Sequence, residues 1–255
     1  MLVDCLDAFA AMPGVTAAKR ASFAMAGTGP GSSTLQDSCV LDVGCGTGTD
    51  LAPWGRVSGA EVVGADLSAR MLSQARSRAP GHPLVQAHSH QLPFKDAAFA
   101  AVRSERLLLR DPDHGRSVAE MARVLRPGGQ LVLVEPDLEE AVGTLRSAAR
   151  ADTRALLPWL RLCFAQPPIG GVLDRLLAAQ GLGPCRIEIH REACDFPTAD
   201  AVLQLHACAL WARSSGVDPP GRLRRLLREL DDQGGASGPV RTVPIHVVAG
   251  TKPVA

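Results

Sequence analysis

The residues best suited to chemistry form a glycine-rich segment, Asp42 to Gly48, in which three glycines occupy every second position. Glycines let backbone N–H groups approach a bound ligand and let a turn take positive φ values. The segment follows a short apolar run, Cys39 to Val43, which is typical of a buried strand. Thr49 stands where the dinucleotide fingerprint needs its last glycine, and the Lys of a P-loop is missing. The spacing therefore favours a ligand other than NAD or ATP.

A second candidate for ligand binding is Asp66, which follows the apolar run Glu61 to Ala65 and lies 18 residues beyond Gly48. A carboxylate at the end of the next strand can accept hydrogen bonds from two ribose hydroxyls, as the acid does in Rossmann sites. Asp66 taken alone fits an ordinary helix N-terminus equally well. Because the glycine segment precedes it by one strand, nucleoside binding is the favoured interpretation.

The elements that must position these residues alternate between strand and helix. Arg126 to Gly129 is predicted to end one helix and turn the chain into the fifth strand. Five such alternations favour an open parallel sheet with helices on both faces. Right-handed crossovers then place the C-terminal ends of these strands at one edge, where ligands bind. The predicted strands after the first cover residues 61–65, 84–87, 99–102 and 130–134.

The pattern changes beyond Pro136 to helices with two late strands. The fold class is therefore α/β, a Rossmann-like seven-stranded, mostly parallel sheet whose last strand is antiparallel to its neighbours. We expect an N-terminal helical cap over residues 1–34, a ligand-binding core over 35–137, and a helical lid with the last two strands over 138–255. The late helices are predicted at 138–165, 171–180, 199–213 and 222–232, and the late strands at 185–190 and 243–249.

The composition excludes several classes of protein. Lys and Arg number 27 against 26 Asp and Glu, and the nine aromatic residues include no Tyr, so neither phosphate attraction nor base stacking favours a nucleic-acid partner. The sequence has no apolar run long enough to span a membrane and no basic leader. Seven cysteines without a Cys-x-x-Cys pair, and histidines without metal-ligand spacing, predict a reduced cytoplasmic protein with no metal site.

Several motifs together carry a resemblance to a known family. They resemble the class I S-adenosylmethionine-dependent methyltransferases, and in particular the small-molecule branch that is similar to ubiquinone and menaquinone methyltransferases. The resemblance is strong over about residues 36–137 and extends to the remainder in layout alone. It implies S-adenosyl-L-methionine as the cofactor. The segments that carry it are Val40–Gly48, Val63–Ser68, Leu92–Phe94, Phe99–Val102 and Glu120–Gly129.

The resemblance also implies where the cofactor lies. The family's pattern places an acid beneath the methionine ammonium group, glycines along the methionine, an acid at the ribose and apolar residues over the adenine. The residues expected around the methionine and the methyl group are Asp42, Gly44, Cys45, Gly46, Ser104 and Glu105. The residues expected at the ribose, the adenine and its edge are Asp66, Leu67, Met71, Ser89, His90 and Gln91.

The chain departs from the family's pattern at three positions. His88 stands where an Asp usually reads the adenine amino group, Ala100 replaces the common Asp of Phe-Asp-x-Val, and Arg110 replaces a frequent His. An arginine stays protonated and cannot act as a general base. The candidate catalytic residues that remain are Glu105 and His114, which lie nearest in sequence to the methyl end, and we expect catalysis to depend mainly on orientation.

The predicted function is S-adenosylmethionine-dependent methyl transfer to O, N or C of a small organic molecule in bacterial specialised metabolism. The predicted assembly is a monomer or homodimer without nucleic-acid or membrane partners. A first alternative keeps the cofactor but catalyses a cyclisation or another rearrangement. A second alternative is a non-catalytic partner protein, although three glycines and an acid at these positions favour a chain that still binds the cofactor.

Overall fold

The computed structural model describes residues 10–27, 35–144, 169–194 and 241–254, together with Asp7, Ser214, Gly216 and Arg228. These residues build one seven-stranded sheet. Its strands are β1 (Cys39–Val43), β2 (Glu61–Asp66), β3 (Leu84–Gln86), β4 (Phe99–Glu105), β5 (Leu125–Pro136), β6 (Arg186–Cys194) and β7 (Arg241–Thr251). The order across the sheet is β3-β2-β1-β4-β5-β7-β6. Strands β1 to β5 are parallel and β7 is antiparallel to both β5 and β6, which confirms the predicted fold class.

Helices follow most of the strands and cover the two faces of the sheet. Ser68 accepts a hydrogen bond from the Met71 N–H at 3.3 Å and caps the third helix. The helices are α1 (Pro13–Gly27), α2 (Leu51–Ser58), α3 (Ala69–Arg78), α4 (His114–Val124), α5 (Leu138–Thr144) and α6 (Leu173–Ala179), with 3₁₀ turns at Leu108–Arg110 and Ile169–Val172.

The apolar residues of the inner strands alternate between two core clusters. Leu41 and Val43 of β1 belong to one cluster, whereas Val40 belongs to the other together with the fully buried Trp54 of α2. Successive side chains of a strand point to opposite faces, so both faces of the sheet are covered. This packing fixes the carboxyl ends of the parallel strands. In the described part of the chain, no helix combines the length and apolar character needed to cross a membrane.

Two local features differ from the sequence-based predictions. The segment Arg126 to Gly129 lies within β5 as a bulge, because Phe99 pairs with Leu125 whereas Ala101 pairs with Gln130. Glu105 ends β4 rather than following it, because its backbone still pairs with Val134 of β5. The helix predicted over 138–165 is described up to Thr144, and the helices predicted over 199–213 and 222–232 lie outside the described residues, apart from Arg228.

Candidate functional site

The glycine segment forms a tight loop at the carboxyl end of β1. Gly44, Gly46 and Gly48 have φ values of 77°, 53° and 75°, in the left-handed region that favours glycine. The N–H groups of Gly44 and Cys45 both donate to the carbonyl of Ala65 in β2, at 2.7 and 3.0 Å. The loop is therefore tied to the end of the neighbouring strand.

Asp66 connects this loop to the start of α3. Its Oδ2 accepts a hydrogen bond from the Gly46 N–H at 2.8 Å, and its Oδ1 accepts one from the Ser68 N–H at 2.8 Å. A carboxylate has about four acceptor positions. The two backbone bonds fix the orientation of Asp66 and leave acceptor capacity for the hydroxyls of a ligand.

A cavity of about 200 Å³ opens beside Asp66. This volume is below the roughly 300–1,000 Å³ of sites that enclose a whole drug-sized ligand, so the cavity suits one part of a larger ligand. Gly44, Asp66, Leu67 and Ser89 of the predicted set line it. The other lining residues are Val43, Ala65, Ala87, His88, Leu107, Arg110, Asp111 and Pro112.

A smaller cavity of about 60 Å³ lies on the other side of Gly44, which lines both spaces. Its walls carry four acidic and three basic side chains, a composition suited to a zwitterionic group. The residues of the predicted set that line it are Asp42, Gly44, Cys45, Gly46 and Glu105. The charged residues that the sequence did not single out are Asp7, Lys19, Asp50, Arg103 and Arg106.

Arg103 is the centre of a buried ion network under this smaller cavity. Its side chain is 1% exposed. Its guanidinium contacts Asp42 Oδ1 at 3.2 Å, Asp50 Oδ2 at 3.2 Å and the carboxylate of Glu105. Such burial is tolerated because each charge has an opposite partner within ion-pair distance.

Helix α1 joins the same network from the N-terminal side. The ammonium of Lys19 donates to Asp50 Oδ1 at 2.7 Å and lies 3.2 Å from Glu105 Oε2. The Nε of Arg103 donates to Ser22 Oγ at 2.8 Å, and its guanidinium lies 5.1 Å from the ring centre of Phe23. These contacts hold α1 against the loop side of the sheet.

The network shifts the pKa values of two carboxyl groups, those of Asp42 and Glu105, in opposite directions. Burial raises the pKa of Asp42 to about 7, against the attraction of Arg103. Burial acts in the same direction on Glu105, but the combined attraction of Lys19, Arg103 and Arg106 outweighs it and holds the pKa of Glu105 well below its usual value. Glu105 is therefore a permanent negative charge, whereas Asp42 gains a proton in mildly acidic solution.

Residues 41–133 match the family described as "Methyltransferase domain". Trans-aconitate 2-methyltransferase from Variovorax paradoxus (strain S110) is 31% identical over 219 residues, which cover 80% of each chain. The chain belongs to the class I S-adenosylmethionine-dependent methyltransferases. S-adenosylmethionine is accordingly its cofactor.

Two further comparisons define how far this similarity reaches. A 37.1 kDa protein in transposon TN4556 of Streptomyces fradiae is 34% identical over 217 residues, which cover 82% of this chain. The methyltransferase spans 61% of that relative's length, so it matches part of a longer protein. The crystal structure of the [4+2]-cyclase SpnF has the same fold, with a TM-score of 0.55 and 21% identity over 94% of this chain and 83% of that one.

The described residues of this methyltransferase fit the cofactor. A Cβ added at Gly46 would meet a single backbone oxygen, 4.0 Å away, so the loop leaves open space beside the smaller cavity. Asp66 would hold the ribose through its remaining acceptor capacity. Asp42 and Glu105 would face the ammonium group of the methionine, and Lys19 would face its carboxylate.

Five other residues predicted from the sequence line neither cavity. Met71 lies in the first turn of α3, and Gln91 is exposed and pairs with His88. Ser104 is fully buried in β4, and its hydroxyl has no hydrogen-bond partner among the described residues. His90 contacts Asp111, which lines the larger cavity. His114 begins α4 and is half-buried. Their assignment to the site stays a prediction.

Lys19, Asp50 and Arg103 line the smaller cavity but were not predicted from the sequence. A signal for Arg103 was present, since a charged residue interrupts the apolar strand Phe99 to Ser104. A charge in a strand that is covered on both faces needs buried partners. The identity of those partners depends on tertiary contacts that join α1, the glycine loop and β4.

Alanine substitutions at two glycines of the loop, Gly46 and Gly48, are expected to have different effects on cofactor binding and on stability. We expect Gly46→Ala to weaken cofactor binding at least tenfold with a small loss of stability, because the new Cβ enters open space at the site and the positive φ costs roughly 1–2 kcal/mol. We expect Gly48→Ala to destabilise the fold far more, because its Cβ would lie 2.8 and 3.0 Å from the Cβ and Cα of Ala75 in α3. Urea unfolding and calorimetry with S-adenosylhomocysteine measure the two effects. Equal destabilisation by both substitutions would contradict this division of roles.

Proposed function

We propose that this methyltransferase transfers a methyl group from S-adenosylmethionine to O, N or C of a small organic molecule in bacterial specialised metabolism. The observation that carries the proposal is the hydrogen bond from the Gly46 N–H to Asp66 Oδ2, which joins the glycine loop to the ribose-binding acid. The acidic and basic groups around the smaller cavity support the same placement for the methionine end. The relative from Variovorax paradoxus is named for trans-aconitate, which is a carboxylate. Small carboxylic acids are therefore the first acceptors to test.

The bound cofactor supplies an electrophilic methyl group on a sulfonium. The chain itself has to orient the two reactants and exclude water. Glu105 contributes a fixed negative charge, because Lys19, Arg103 and Arg106 surround its carboxylate. A carboxyl group with so low a pKa is a poor proton acceptor near neutral pH. We therefore assign Glu105 to electrostatic binding of the cofactor and propose catalysis by orientation.

This mechanism predicts different effects for the two candidate catalytic residues. We expect Glu105→Gln to weaken cofactor affinity by about tenfold or more, since one charged partner of the network is lost. We expect His114→Ala to keep turnover within about tenfold of wild type with an unchanged pH profile, since a general base contributes roughly 100-fold or more. Turnover against pH, together with calorimetry, measures both. A 100-fold loss in the His114 variant with cofactor affinity intact would establish a dedicated histidine base and overturn the orientation mechanism.

The alternative activity keeps the same site but moves no methyl group. The fold that this chain shares with the [4+2]-cyclase SpnF makes cyclisation the alternative to test. The two activities differ in one product, because methyl transfer releases S-adenosylhomocysteine and cyclisation leaves the cofactor intact.

We further propose that the protein is a cytoplasmic monomer or homodimer. Its partner is a small-molecule substrate, and it binds neither nucleic acid nor membrane.

A further inference from the structure

His88 lines the larger cavity and has one of its two ring nitrogens fixed by the backbone. The N–H of His90 donates to His88 Nδ1 at 3.1 Å. A nitrogen that accepts a hydrogen bond carries no hydrogen, so the neutral ring has its hydrogen on Nε2. Nε2 is therefore a hydrogen-bond donor, and it is the remaining polar atom of the ring.

The surroundings of His88 hold the ring in this state. The N–H of Gln91 donates to the His88 carbonyl at 3.0 Å and closes a tight turn. The ring of His90 packs edge-on against that of His88, with 4.3 Å between ring centres. His90 is itself held through Nε2, which lies 2.9 and 3.0 Å from the two carboxylate oxygens of Asp111.

The carboxylate of the neighbouring acid, Asp111, is already engaged in hydrogen bonds with other residues. Asp111 also lines the larger cavity, but its oxygens contact His90, accept the hydroxyl hydrogen of Ser117 and accept the N–H of Asp113 at 2.9 Å. Asp66 also lines the cavity and is assigned to the ribose. His88 thus offers the cavity a hydrogen-bond donor, whereas the carboxylate of Asp111 is already bonded to other groups.

We propose that His88 determines nucleobase specificity by donating from Nε2 to an acceptor on the purine, so that the site accepts a 6-oxo purine as readily as a 6-amino purine. Adenine offers ring-nitrogen acceptors, and its amino group is a donor that Nε2–H cannot bind. A 6-oxo purine replaces that amino group by a carbonyl acceptor, which suits Nε2–H. The inference rests on the proposed cofactor site and is independent of methyl transfer.

Calorimetry with S-adenosylhomocysteine and its 6-oxo analogue, S-inosylhomocysteine, tests the proposal. We expect the two dissociation constants of the wild-type protein to agree within about threefold. We expect His88→Asp to favour the adenosine compound by at least about tenfold, because a carboxylate accepts from the amino group and repels the carbonyl. His82→Asp is the matched control, since His82 bonds to the Val62 carbonyl and lines neither cavity. The ratio of the two dissociation constants in this variant should equal that of the wild type.

The outcomes separate this inference from the site on which it rests. A wild-type preference above about threefold for the adenosine compound, or a His88→Asp variant with the same ratio of dissociation constants as the wild type, would overturn the role of His88. Failure of the folded wild-type protein to bind S-adenosylhomocysteine would overturn the cofactor site as well. If His88→Asp does not fold, His88→Ala replaces it and should weaken both ligands together, by about threefold to tenfold, as expected for the loss of one neutral hydrogen bond. An unchanged affinity for both ligands in His88→Ala would also overturn the proposal.

Discussion

Asp66→Ala is expected to lower the affinity of the methyltransferase for S-adenosylhomocysteine by at least about 100-fold. Two ribose hydroxyls would lose a charged acceptor, at roughly 1.5–3 kcal/mol each, or about 3–6 kcal/mol together. The same substitution also frees the N–H of Gly46, which Asp66 holds at 2.8 Å. The first loss acts on the bound state alone, and the second loosens the glycine loop before the ligand binds, so both weaken binding.

Isothermal titration calorimetry measures this loss, and a thermal melt verifies that the variant is folded. Asp96→Ala is a suitable control, because Asp96 pairs with Arg123 on the surface and its side chain is 78% exposed. We expect the control to bind S-adenosylhomocysteine like the wild type. An affinity within threefold of wild type in a folded Asp66→Ala protein would refute the ribose assignment.

Arg103→Met is expected to cause the largest loss of stability among the variants considered. The substitution removes the cation that contacts Asp42, Asp50 and Glu105. Removing one partner of a buried ion pair costs about 3–5 kcal/mol, because the charges that remain are desolvated without compensation. The contacts of Arg103 with Ser22 and Phe23 are lost as well, so the packing of α1 on the sheet should loosen.

Urea unfolding gives the change in the free energy of unfolding, and hydrogen exchange of α1 shows whether the packing of the helix loosens. Arg76→Met in α3 serves as the control, because Arg76 is exposed, and we expect it to stay within about 0.5 kcal/mol of wild type. The Arg103 variant should also regain stability as the pH falls, since protonation removes the repulsion among the three carboxylates. A loss below about 1 kcal/mol would show that the network is not required for the fold.

The fold could be predicted from the sequence because its strands are short apolar runs separated by helix signals. Ser68 marks the start of α3, and the alternation from Cys39 to Val134 leaves few arrangements other than a parallel sheet. The ends of elements were less predictable. Glu105 lies in β4 because its backbone pairs with Val134, and such pairing is a tertiary property that the sequence of β4 alone does not carry.

The glycine loop and Asp66 were also predictable, because their function depends on local spacing around two strand ends. The role of Glu105 was not. Its low pKa follows from Lys19 of α1, Arg103 of β4 and Arg106, and Lys19 is distant in sequence. The state of His88 depends in the same way on the N–H of His90, a contact that turn geometry creates.

The central claim is that this chain moves the methyl group of S-adenosylmethionine, and isotope transfer tests it most directly. The wild-type protein is incubated with methyl-deuterated S-adenosylmethionine and a panel of small carboxylic acids, phenols and amines, and the products are analysed by mass spectrometry. We expect one acceptor to gain a labelled methyl group in equal amount to the S-adenosylhomocysteine released, and we expect no labelled product with Asp66→Ala. An acceptor that is converted to a product of unchanged mass while the bound cofactor stays intact would contradict the claim.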